Sequence, residues 1–310
     1  MSALTLKGPY WVTVRQHRRV LWAVPALLAV GLVVMVALSV WSAYPTYDEM
    51  HRPVMTPGYD LLRGFMQSAT KSLVFFPALV GAFVAGPLVA RELESGTWRL
   101  ALTQSTTAKG WLGAKVAVAA TVAVLASLAL VGIYRLGWLR VSDTYGLRWG
   151  DLGAYESSGT VLVAYCLLGV ALGALIGQLV RRTLVAMAVT GVLTGLVLLI
   201  LRALRWSFLS VETVTRSFPG DPESLLPPSA LRMDAGLLTT TGERLSQYFC
   251  IPQARATGAC RPDADVASLY ADFHPASHYW PTQLIETSIL LAAAAAVLCA
   301  AFRLVHKRHP

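Results

Sequence analysis

Six long apolar runs, separated by polar segments, dominate this chain; they cover residues 20–41, 72–90, 111–134, 159–180, 183–201 and 281–302. A run of about 20 residues wound as a helix crosses roughly 30 Å of hydrocarbon. The pattern therefore predicts an all-α membrane protein with six transmembrane helices. Small residues recur every fourth position inside these runs. Ala78, Ala82, Gly86 and Ala90 do so in the second, Gly169, Gly173 and Gly177 in the fourth, and Gly191 and Gly195 in the fifth. Four-residue spacing places them on one helix face, where their lack of bulk lets a neighbouring helix approach closely. Ala82, Gly86, Gly169, Gly173, Gly177, Gly191 and Gly195 are the expected packing positions.

The polar segments supply the rest of the expected organisation. Residues 1–19 hold Lys7, Arg15, Arg18 and Arg19 with Tyr10 and Trp11 among them, a mixture suited to a helix lying on the membrane surface or to a solvated basic tail. The first apolar run could also be read as a cleaved signal peptide, but its length and the missing Ala-x-Ala site favour an uncleaved span. Residues 44–71 read as a polar loop and 135–158 as a mixed-charge loop without a strong pattern. Residues 202–280 are too long for a structureless connection and contain Pro219, Pro222, Pro227, Pro228, Pro252, Pro262 and Pro275. A small cap is expected there, with short helices near 225–237 and 266–273. The expected order is thus a surface helix over 1–19, spans one to five over 20–201, the cap over 202–280, the last span over 281–302 and a tail over 303–310.

Charge orients this arrangement. With both termini on one side, the segments sharing that side sum to +11 and the opposite segments to −2. Basic residues collect on the cytoplasmic side, so both termini are expected in the cytoplasm of a multi-pass cell-membrane protein and the cap outside. Lys115, one turn inside the third run, is expected to snorkel to the interface. Cys250 and Cys260 would then sit in an oxidising compartment, where a disulfide between them is expected; two free thiols in a reduced loop is the alternative.

Composition agrees with a membrane protein: 55% of residues are apolar and 14% charged, against about 25% charged in soluble domains. The net charge of +9 is explained by flanking arginines, and no basic domain for nucleic acid is evident; membrane lipids are the expected surroundings. No phosphate loop, zinc-protease motif or nucleophile elbow occurs, so the chain reads as non-enzymatic, with no cofactor or metal of its own. Charges of the kind ion-coupled carriers use near mid-membrane are missing, since Glu286 and Lys115 each fall near a span end. His274 and His278, four apart, could share a helix face and a metal, but no matched ligand set accompanies them.

One stretch stands out for what it interrupts. Residues 91–107, Arg91-Glu-Leu-Glu-Ser-Gly-Thr-Trp-Arg-Leu-Ala-Leu-Thr-Gln-Ser-Thr-Thr107, lie between the second and third runs. Gly96 can end the preceding helix. Thr97 can cap a short helix over 98–103 that shows Trp98, Ala101 and Leu102 on one face, a pattern that docks in grooves. Ser105, Thr106 or Thr107 can cap the third span. Glu92 and Glu94 can pair with a partner's basic groups or with Arg91 and Arg99. The same pattern equally describes an ordinary capped turn.

Arg91-Glu-Leu-Glu-Ser-Gly-Thr-Trp-Arg-Leu100 resembles the Glu-x-Gly-Thr pattern after the second span of type-2 ABC exporter permeases. Val14-Arg-Gln-His-Arg18 and His274-Pro-Ala-Ser-His-Tyr-Trp-Pro-Thr-Gln-Leu-Ile-Glu286 also resemble segments of such permeases. The resemblance implies six spans, a surface helix before the first, and a coupling helix between spans two and three, here about 92–103. It implies a separate ATP-binding cassette ATPase that holds ATP and magnesium, and a second permease, expected to form a homodimer. Glu92, Glu94, Gly96, Thr97, Trp98 and Arg99 would then couple to the ATPase. Such a permease would export an amphipathic or hydrophobic drug, antibiotic, peptide or lipid. The long segment before the last span departs from many family members. The alternative function is a membrane-embedded sensor or scaffold whose cap binds a ligand or protein.

Overall fold

The computed structural model describes residues 9–43, 46–47, 53–54, 56–99, 107–142, 147–217, 225–227, 229–246 and 266–308. Cys250 and Cys260 fall outside the described residues, as do 100–106 and with them most of the expected 98–103 helix. The chain divides into two units. The first takes the residues up to Leu147, then Asp151–Arg205 and Gln283 onward; the second takes Arg148–Gly150 and Trp206–Thr282.

The first unit is helical. In chain order it contains α1 (Pro9–Gln16), α2 (Arg18–Trp41), a two-residue strand pair β1 (Thr46–Tyr47) and β2 (Pro53–Val54), α3 (Pro57–Leu73) and α4 (Phe76–Leu79). A π-helical segment (Val80–Ala85) leads into α5 (Gly86–Ser95). Then come α6 (Ala108–Val141), α7 (Ala154–Ser158), α8 (Val161–Val180), α9 (Thr183–Leu204) and α10 (Tyr279–Arg308), which begins in the second unit. Six helices among the described residues are long and apolar enough to cross a membrane: Leu21–Trp41, Phe76–Ser95, Ala108–Val141, Val161–Val180, Thr183–Ser207 and Ala276–Arg308. The most apolar stretch of α8 is 72% buried and that of α2 only 6%, so α8 is the central post and α2 lies at the rim. Around α8 the core joins Ala85 and Val89 to Trp111, Leu112, Val116, Val170, Ala174 and Val305. A second cluster packs Met35 of α2 and Leu62 and Met66 of α3 against Tyr134 and Val141 of α6.

Helix α3 stands where a polar loop was expected. Gly58, Leu62, Met66 and Thr70 are its buried residues, four apart on one face, and Thr70 Oγ1 lies 2.8 Å from Tyr134 Oη. Its start is well marked: Thr56 Oγ1 accepts from Tyr59 N at 3.0 Å, and Pro57 occupies the first turn, where its missing N–H costs nothing. The third span is also longer than its apolar run; Thr107 caps it by accepting from Gly110 N at 3.1 Å, and it continues to Val141.

The π-helical segment has a sequence cause. Pro87 has no N–H to give, so the α-helical ladder is open just before it. Gly86 N donates instead to Gly81 O, one residue further back than in an α-helix. Such π segments inside α-helices often mark functional positions.

The second unit corrects the expectation of an all-α chain. Residues near 225–237 and 266–273 were expected as helices. Instead β3 (Glu212–Ser217), β4 (Leu231–Thr239), β5 (Arg244–Ser246) and β6 (Val266–His274) form one antiparallel sheet in the order β3-β6-β4-β5. β6 pairs with β3 over Glu212–Ser217 and with β4 from Leu231 to Thr239. Leu269, Ala271 and Phe273 are buried. Tyr270 Oη donates to Asp234 Oδ2 at 2.9 Å, and Arg244 bridges to Asp272 at 2.6 Å. Leu, Ala and Met favour helix in isolation, but the pairing of β4 with β6 along their lengths, with β3 on the other side of β6, outweighs that preference.

Candidate functional site

The site is built where the second span ends. Helix α5 stops at Ser95 because Gly96 adopts the left-handed conformation, φ 73°, which a residue with Cβ enters at a cost. Arg99 N then turns back to Gly96 O at 3.2 Å. Thr97 Oγ1 lies 2.9 Å from Ser95 Oγ. Arg91, Glu94, Ser95, Thr97 and Arg99 are exposed. Trp98 is partly buried against the α8 core, so its ring faces its own bundle rather than solvent, and Arg99 lies over it at 5.8 Å.

The two carboxylates are engaged within the chain. Glu92 accepts from Lys115 Nζ at 2.7 Å and from Trp111 Nε1 at 2.9 Å. Lys115 is 2% exposed, so it does not snorkel outward; the apolar sequence around it hides an ion pair with α5. Glu94 accepts from Thr183 N at 2.9 Å and also from Thr183 Oγ1. A carboxylate on the first N–H of α9 satisfies an orphan donor and meets the positive end of the helix dipole. The end of α5 is therefore tied to α6 through Glu92 and to α9 through Glu94. Arg308 closes the same end of the bundle by donating to Gln178 O of α8 at 2.6 Å.

Above this end the second span is clamped on two sides. Toward α8, a Cβ on Gly169 would lie 3.3 Å from Gly81 Cα, one on Gly177 would lie 2.9 Å from Ala90 N, and one on Gly173 would overlap the Ala85 carbonyl. Toward α9, a Cβ on Gly86 would lie 2.7 Å from Met187 Cα and one on Gly191 would lie 2.9 Å from Ala82 Cβ; at Gly195 the nearest atom, Ala78 Cβ, is 3.9 Å away. The four-residue rows meet each other across these contacts, with the π-helical segment between them.

A second polar cluster, which sequence reasoning missed, lies inside the helical unit. Arg205 Nη1 donates to Glu156 Oε1 at 2.7 Å and Nη2 to Glu286 Oε1 at 3.1 Å, with all three residues at most 3% exposed. Tyr165 Oη donates to Glu286 Oε1 at 2.6 Å, Gly153 N to Glu156 Oε2 at 2.9 Å, and the guanidinium sits 4.0 Å over the Tyr155 ring. Gln283 links α8 to Tyr155, accepting from Val161 N at 3.1 Å and donating to Tyr155 O at 2.7 Å. The sequence signal was three charges flanking spans, which read as ordinary boundary residues. In the second unit, His274 and His278 approach each other through Nδ1 at 3.0 Å, and Glu212 lies 3.7 Å from His278. No group of three or more His, Cys, Asp or Glu among the described residues is placed to hold a metal.

Residues 54–205 match a family model described as ABC-2 membrane transporter related. The match takes in α3 to α9, and with them the clamped second span, Glu92, Glu94, Lys115 and the Glu156–Arg205 pair. No curated protein and no solved structure matches the chain. Residues 54–205 thus form an ABC-2 membrane transporter-related region, within a chain that has six helices long and apolar enough to cross a membrane among its described residues.

Proposed function

We propose that the chain is the membrane permease subunit of an ATP-driven exporter, and that a separate ATP-binding cassette ATPase acts on it at the Gly96 end. The observation that carries this reading is the family match over 54–205 in a sequence with no phosphate-binding loop, which supports a motor on a separate chain. The Gly96 end is the basic end. Arg15, Arg18, Arg19 and Arg91 line one cavity with Thr97, and Arg181 and Arg308 line a smaller one with Trp98, which supports a cytoplasmic placement.

In this reading the ATPase touches the exposed Arg91, Ser95, Thr97 and Arg99, while Glu92 and Glu94 carry the displacement inward. Glu92 moves α6 and Glu94 moves α9. The interlocked glycine rows make α5, α8 and α9 travel as a block, and the π-helical segment is where the second span can bend. The cargo is an amphipathic or hydrophobic molecule, ATP and magnesium stay on the ATPase, and two permeases pair. Co-expression with the ATPase tests the docking step. Arg99→Glu should abolish co-purification and permease-stimulated ATP hydrolysis. Unchanged coupling in that variant, correctly inserted, would overturn the assignment.

A further inference from the structure

A cavity of about 710 Å³ opens beside the start of the first span, between the α1–α2 junction and α5. Five cations line it, Arg15, Arg18, Arg19, Arg91 and Lys115, and Glu92 is its one carboxylate among the described residues. Glu92 is already held by Lys115 and Trp111. The four arginines are exposed to the cavity's solvent, and residues 1–19 contain no Asp or Glu to neutralise them.

The local fold concentrates this charge against its own preference. The helix breaks at His17 (φ −101°, ψ 12°), which brings Arg15 at the end of α1 next to Arg18 and Arg19 at the start of α2. A helix N-terminus carries partial positive charge and favours acidic residues, yet the first turn of α2 has none. Arg91 adds a further cation from α5. Arginine's planar donor fork matches phosphate oxygens, and basic pockets between membrane helices recognise phosphate headgroups. The rim is suited to a lipid: Tyr10, Trp11 and Val12 are exposed on α1, Arg15 lies 4.8 Å over the Trp11 ring, and Trp22 and Leu27 are exposed on α2. Exposed aromatics of this kind sit at the headgroup level.

We infer that this cavity binds a phosphate-bearing anion, with the headgroup of an anionic phospholipid as the source that its aromatic and apolar rim favours. The full chain is purified and equilibrated with mixed phosphatidylglycerol–phosphatidylcholine micelles, and the retained lipid is counted by native mass spectrometry. Wild type should retain phosphatidylglycerol over phosphatidylcholine by about tenfold, and Arg15→Ala/Arg18→Ala/Arg19→Ala should lose that preference. Removing as much charge elsewhere, with Lys71→Ala/Arg140→Ala/Arg216→Ala, should leave it intact. Because the first triple variant can disturb insertion, a headgroup photo-crosslinker on wild type gives an independent reading, with adducts expected on residues 9–19 and 87–97. Thermal stabilisation of wild type by inorganic phosphate alone, without lipid preference, would assign the same chemistry to a free anion. Three results would overturn the site: no preference for either probe, equal loss in the control variant, or adducts elsewhere. So would loss of ATPase binding in the arginine variant with no lipid or phosphate preference in wild type, since the cavity would then serve a protein surface. Arg99 is not altered in these variants, so failure here is separable from failure of the docking step.

Discussion

Lys115 and Arg205 are the buried lysine and arginine of the helical unit's described residues, 2% and 3% exposed, and each is held by carboxylates from other helices. Such pairs gain little over apolar packing, but breaking one strands a buried charge and costs about 3–5 kcal/mol. Arg205→Ala should therefore lower stability by about that amount, because Glu156 and Glu286 are left facing each other. Fluorescence-detected unfolding in detergent measures it. Adding Glu156→Gln and Glu286→Gln to the Arg205 variant should recover most of the loss, and no recovery would show that packing rather than charge dominates. At this scale the sequence was partly legible. Gly96 announces a helix end, and Ser105, Thr106 and Thr107 a cap, because these roles depend on local backbone chemistry; the local pattern leaves open which of the three hydroxyls caps. Lys115 and Glu92 are 23 positions apart, and nothing local says that they meet.

Elements were legible where their pattern is local and strong. The six apolar runs correspond to six long helices because length and hydropathy alone specify them. The four-residue rows meet each other with different closeness, and that difference is testable. Gly173→Ala should destabilise by about 1–3 kcal/mol, since its Cβ overlaps Ala85. Gly195→Ala has room at 3.9 Å and should be neutral or gain up to about 1 kcal/mol from helix propensity. Size-exclusion melting curves of the two variants make the comparison. Helix α3 and the sheet were misread for opposite reasons. The buried row of α3 is diluted by polar neighbours, whereas the Leu, Ala and Met of β4 and the Ala and Leu of β6 favour a helix when read alone. The sheet unit also carries a pH dependence. Burial holds His274 below its ordinary value of 6.5; the hydrogen bond to Trp206 O opposes it, His278 adds to the lowering, and Glu212 opposes it slightly. The unfolded chain therefore binds the proton more readily. Stability from His274 is fully present above about pH 6.5 and is lost as pH falls from there through the folded value. Protection factors of β6 amides, taken relative to the intrinsic exchange rate at each pH, should fall on acidification below 6.5, and His274→Gln should flatten the dependence.

For the whole molecule, the sequence yields span number and charge asymmetry but not which helix is central. That α8 is the post and α2 the rim follows from which glycine faces interlock, a property of pairs of helices rather than of any one run. The coupling reading rests on the same long-range ties, from Glu92 to α6 and from Glu94 to α9. The decisive measurement is ATP hydrolysis by the co-expressed ATPase in reconstituted vesicles, with wild-type permease and with Arg99→Glu. Stimulation of hydrolysis by wild type, and its loss in a variant that still inserts and folds, is expected. Equal stimulation by both, or no stimulation and no complex with wild type, would contradict the placement of a motor at the Gly96 end.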